Sequence, residues 1–145
     1  MALPEPQPGL VIRYAYLWKR EYDQGRDEGS KDRPCAIVVA VLDEDGDEQV
    51  LVLPITHALP HDAADAVEIP LITKQRLGLD GERSWIMINE VNEFIWSGPD
   101  IRPVPGRGDA SIAYGLLPKR LFEIVREKFL QRLKQDQAVR VPRTG

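Results

Sequence analysis

Two short segments of this chain carry side chains suited to chemistry: Arg33-Pro34, and Pro54-Ile55-Thr56-His57. Arg33-Pro34 opens an apolar run, residues 35–42 (CAIVVAVL), and the second segment closes another, residues 49–55. Residues 43–48 (DEDGDE) join the two runs, and Asp45-Gly46 is a dipeptide that a hairpin turn favours. An antiparallel hairpin sets positions near 34 opposite positions near 55, so Arg33 and Thr56 are expected as neighbours at one end of a sheet. A guanidinium, a hydroxyl and the imidazole of His57 would then converge beside the charged segment 18–32. Such a cluster can hold a phosphodiester. The plainer alternative is that Arg33 pairs with a nearby carboxylate, Asp32 or Glu28.

His57 and His61 are four residues apart, with Asp62 and Asp65 close by. Pro60 breaks the helix that would put both imidazoles on one face, and no further His or Cys completes a metal site. No metal and no cofactor is expected. Phosphate-cradling glycine loops, dinucleotide fingerprints and nucleophile elbows are absent from the sequence.

Positioning these groups requires strands. Pro4, Pro6 and Pro8 make residues 1–8 an extended lead-in that ends at Gly9, and residues 10–16 read as a strand. Residues 18–32 read as a long polar loop, of the kind that is usually functional or disordered. The continuous apolar run 35–42 is the pattern of a strand covered on both faces, and with 49–55 it predicts a hairpin. Short strands are expected at 67–69, 84–88 and 91–96, helical character at 72–79, and a loop at 97–110. From Pro118 to about Gln135, apolar residues at 121, 124, 125 and 129 form one stripe of an amphipathic helix. Residues 136–145 are expected as a flexible tail. The sum is one mainly-β (α+β) domain over 1–145, a small antiparallel sheet closed or nearly so, with a C-terminal helix.

Composition agrees with a single folded domain. The chain has 145 residues, 43% apolar and 29% charged, which suffices for a core without a metal or disulfide staple. Its single cysteine, Cys35, excludes a disulfide-built scaffold. No signal peptide or membrane-spanning run is visible, so a cytoplasmic protein with no membrane partner is expected. The net charge of −4 is unevenly spread. Residues 119–145 carry eight basic against three acidic side chains, and residues 1–118 carry eleven against twenty. A polyanion would need a local basic patch; a solvated basic helix is the ordinary source of such an imbalance.

Read in order, these segments resemble the PemK/MazF (Kid) family of toxin endoribonucleases from type II toxin–antitoxin systems. Gly9-Leu10-Val11-Ile12 resembles the opening strand after the family's glycine. Glu28-Gly29-Ser30-Lys31-Asp32-Arg33-Pro34 resembles the loop ending in its Arg-Pro, and Leu53-Pro54-Ile55-Thr56 its Pro-x-Thr. Asn89-Glu90-Val91 through Trp96 resembles a segment that elsewhere reads Asp-Gln-Val through Trp. Leu116-Leu117-Pro118 and the run after it resemble the C-terminal helix.

The resemblance implies an SH3-like barrel, a homodimer, a small antitoxin covering the Arg33–Thr56 end, and metal-independent cleavage of single-stranded RNA (mRNA) through 2′-hydroxyl attack. It places the catalytic arginine on Arg33, the threonine on Thr56 and an acidic residue on Glu28. The residues themselves fit those roles. Arg33 keeps its proton and stabilises charge on the transition state, and Thr56 holds a nonbridging oxygen. The proton acceptor is Glu28 by resemblance or His57 by chemistry, imidazole being the side chain most often used as a general base. Lys31, Arg26 and Arg20 would line the RNA path. The rival reading is a non-catalytic protein- or RNA-binding module on the same barrel, including a gyrase-poison-like toxin.

Overall fold

The computed structural model describes residues 3–27, 29, 31–108 and 111–143. In chain order these form β1 (Leu10–Tyr14), α1 (Lys19–Asp23), β2 (Arg33–Leu42) and β3 (Glu48–Thr56). A 3-10 turn (Ala63–Asp65), β4 (Ala66–Glu68), α2 (Leu71–Leu77), β5 (Trp85–Met87) and β6 (Glu90–Ile95) follow. The chain then adds β7 (Ala113–Leu116), α3 (Lys119–Lys134) and β8 (Val139–Pro142). The mainly-β, α+β class is as expected. None of the described helices is long and apolar enough to cross a membrane.

The β2–β3 hairpin organises the sheet. Its turn is set by the Asp43 carboxylate, which accepts from the N–H groups of Asp45 (2.9 Å) and Asp47 (3.0 Å). Gly46 supplies the positive φ of +84° that the turn needs. The register runs from Leu42↔Glu48 to Cys35↔Pro54, with one slip between Ile37 and Val39. β1 pairs with the outer edge of β2, and β7 with β1. On its other edge β3 takes two partners end to end: residues 49–52 pair with β6, and Ile55 and Thr56 pair with β5. Strand alternation sends side chains to two cores. Val11, Ala36, Val38, Leu51, Leu53 and Ile55 meet Val125 and Phe129 of α3 on one face. Ile12, Tyr14, Cys35, Ile37, Val50 and Val52 pack with Phe94 and Trp18 on the other. The expected double coverage of β2 therefore holds for its first half, whereas Val41 and Leu42 are exposed beside the turn.

Gly9 ties the opening of β1 to its neighbours. Its N–H donates to the Ile37 carbonyl and its carbonyl accepts from the Leu117 N–H, both at 2.8 Å. A Cβ there would sit 3.6 Å from the Phe122 ring on a backbone at φ +93°, a conformation that favours glycine.

Four expectations change. The sheet is not a closed barrel: its path β4-β5-β3-β2-β1-β7 ends on strands not paired with each other among the described residues. It is not wholly antiparallel, because β8 runs parallel to β6. The loop expected over 18–32 contains α1, whose first turn is capped by Glu21 accepting from the Trp18 N–H at 3.1 Å. The segment expected as a flexible tail carries β8. That strand is held by the Arg143 side chain, 2% exposed, which reaches Asp100 Oδ2 at 2.9 Å and donates to the Ala15 carbonyl at 2.7 Å.

Candidate functional site

Arg33 is the first residue of β2, flanked by Tyr14 of β1 and the end of β3. Because Cys35 faces Pro54, the next positions outward bring Arg33 beside Thr56, as the hairpin pattern predicts. Its Nη1 donates to the Ile55 carbonyl at 3.4 Å. The guanidinium carbon lies 4.9 Å from the centre of the Trp18 ring, and that of Arg20 lies 5.3 Å from the same ring. Trp18, almost fully buried, is thus an aromatic seat for two cations. Asp32 does not neutralise Arg33; its carboxylate sits 3.7 Å from Arg102 Nε. The Arg33 Nε is buried with no hydrogen-bond partner among the described residues. Burial lowers the Arg33 pKa from its ordinary value, aided by the Arg20 charge and opposed by Glu21. A half-buried cation with an unsatisfied donor suits an anionic ligand.

Thr56 ends β3, and its Oγ1 accepts from the Ala58 N–H at 3.1 Å. That bond fixes the oxygen and leaves the hydroxyl proton for a ligand. His57 follows in the loop, and its Nε2 lies 2.7 Å from Asp80 Oδ2, with Nδ1 3.7 Å from Glu82 Oε2. The other Asp80 oxygen, Oδ1, accepts from Lys74 Nζ at 2.6 Å. Lys74, on α2, is 1% exposed and also donates to Ser84 Oγ at 2.6 Å and to the Glu82 carbonyl. Burial pushes the Asp80 carboxyl up. The Lys74 hydrogen bond, the Glu82 N–H and the Lys74 and His57 charges outweigh it and hold the carboxyl below the usual carboxylate range.

Arg33, Thr56 and His57 line one cleft of about 680 Å³. β1, the α1 region and the segment before β2 contribute Arg13, Trp18, Arg20 and Lys31. The loop after β3, α2 and the segment before β5 contribute His61, Asp65, Lys74, Asp80 and Ser84. Lys31 and Arg20 thus line the same cleft as Arg33. Arg26 does not: it pairs with Glu21 of α1 at 2.9 Å, outside the cleft lining. Glu28 lies outside the described residues. His57 groups with Asp80 and Glu82 rather than with His61, their ligand atoms all within 4.8 Å of one another. A cation could bridge them, although the Lys74 ammonium already holds one Asp80 oxygen.

Sequence reasoning missed Lys74 and Asp80. Their only local signal is the Lys-to-Asp spacing across Gly78, the left-handed residue (φ +71°) that ends α2 and turns the chain back toward the cleft. The cleft offers a charged fork and a hydroxyl for phosphoryl oxygens, and an imidazole–carboxylate pair for proton transfer. No protein-family model matches the chain, and no curated protein matches it.

Proposed function

We propose that this protein is a toxin-like endoribonuclease of the PemK/MazF kind, cutting single-stranded RNA without a metal, on an open, SH3-like arrangement of its β1–β2–β3 core. The observation that carries the reading is the Arg33 guanidinium on Trp18, its Nε without a hydrogen-bond partner among the described residues, beside Thr56 in a cleft that His57 also lines. In the reaction, Arg33 and Thr56 hold the phosphate oxygens and stabilise the charge that builds on phosphorus. His57 accepts the 2′-hydroxyl proton as that oxygen bonds to phosphorus. The bond to the 5′-oxygen breaks, and that oxygen takes a proton from water, leaving a 2′,3′-cyclic phosphate. A homodimer and a small antitoxin as inhibitor belong to the same proposal, carried by the sequence resemblance.

Induced expression in bacteria tests it. Growth should stop and cut RNA accumulate with the wild-type chain, and neither should occur with Arg33→Ala. Arrest with intact RNA would instead favour the non-catalytic interaction module.

A further inference from the structure

Deepening the cleavage reading, and resting on it for its kinetic consequence, we infer that Asp80, itself clamped by the buried Lys74, is the positioning residue for His57, directing the Nε2–H to its carboxylate and leaving Nδ1 as the basic nitrogen. The geometry is a chain of three side chains from three segments. Lys74 has three protons and three acceptors: Asp80 Oδ1, Ser84 Oγ and the Glu82 carbonyl. It has none left for a ligand, so a fully buried cation lining a cleft acts here as an anchor rather than as a phosphate binder. Asp80 Oδ1 also accepts from the Glu82 N–H at 3.1 Å, which stops the carboxylate from turning. Its Oδ2 is then presented to His57 Nε2 at 2.7 Å.

An imidazole with one nitrogen donating to a fixed carboxylate has its tautomer chosen for it. The lone pair falls on Nδ1. The other group facing the ring, Glu82, is 74% exposed and stands beyond hydrogen-bond distance from Nδ1, so it leaves that nitrogen open to a substrate hydroxyl.

Two-bond 1H–15N correlation spectra of the full chain test this, since it has only two histidines and His61→Gln assigns them. The wild type should show neutral His57 with its proton on Nε2. Asp80→Ala, at a half-exposed position, should give a mixture of tautomers while the amide spectrum stays folded. Asp80→Glu, which keeps a carboxylate, should restore much of the wild-type pattern. Lys74→Met should loosen it, and Ser84→Ala serves if that variant does not fold. In RNA cleavage, Asp80→Ala should lower kcat by about tenfold or more, up to the ~10²–10⁴ that a general base supplies, and leave KM within about twofold. A proton on Nδ1 in the wild type, or the same tautomer in wild type and Asp80→Ala, overturns the inference. Wild-type protein that shows the Nε2–H tautomer yet cuts no RNA would support the positioning of His57 and overturn the cleavage reading instead.

Discussion

Glu90 accepts from the Tyr16 hydroxyl and from the N–H of Lys19, the residue after the cleft-lining Trp18, both at 3.0 Å. Burial pushes its pKa up, against those two hydrogen bonds and the Arg20 and Lys19 charges. A carboxyl raised on folding binds its proton more tightly in the native state, so its contribution is full below the ordinary carboxylate range and declines as pH rises through the folded value. Glu90→Gln keeps an acceptor without the charge. It should be at least as stable as the wild type at pH 7 and should remove that decline, read from urea midpoints between pH 4 and 8. A loss of more than about 1 kcal/mol, the worth of a typical hydrogen bond, would contradict this. Asp80 has the opposite sign: depressed on folding, its contribution is present above the ordinary range and lost as pH falls through the folded value. At this scale the Arg33–Thr56 pair was readable in the sequence, because a tight turn between two apolar runs sets the register. The Asp80–His57 pair was not, because two residues separated by β4 and α2 meet only through packing.

Secondary elements divide in the same way. The β2–β3 hairpin and α3 announce themselves by pattern, the first through a continuous apolar run and the second through a stripe ending in Val125 and Phe129, both fully buried. β8 does not, since Val141 is its only fully buried side chain. What holds it is charge and hydrogen bonding across the chain. Arg143 meets Asp100 and donates to Asn92 Oδ1 at 3.0 Å, and Asn92 in turn grips both the N–H and the carbonyl of Leu17, just before Trp18. The C-terminal strand thereby braces the aromatic seat of Arg33. Arg143→Ala should cost about 3–5 kcal/mol in urea denaturation, because it strands a buried carboxylate. Arg140→Ala, an exposed pair 3.7 Å from Glu93, should cost no more than about 1 kcal/mol. Equal effects would refute the buried latch.

Across the whole molecule, charge is arranged differently from what the sequence suggests. None of the basic side chains of residues 119–143 lines the cleft, and Arg132 is spent on the cleft carboxylate Asp65 at 3.1 Å. The cleft itself holds Arg13, Arg20, Lys31, Arg33 and Lys74 against Asp32, Asp65 and Asp80, a cationic balance inside a protein of net charge −4. Sequence sums cannot show this, because the cations come from β1, α1, the segment before β2, β2 itself and α2. A strand engaging two or three of these cations should bind with log Kd rising against log salt at a slope of about 1.4–2.1, at ~0.7 per phosphate, and Lys31→Ala should remove about 0.7. Fluorescence anisotropy with an uncleavable 2′-O-methyl oligonucleotide reads it, and a slope near zero would refute a phosphate-binding cleft. The central claim rests most directly on product chemistry. Purified protein incubated with a long single-stranded RNA in EDTA should yield fragments ending in 2′,3′-cyclic phosphate, lost in both Arg33→Ala and Thr56→Ala. Intact RNA from folded wild-type protein, or cleavage undiminished in Arg33→Ala, would contradict it.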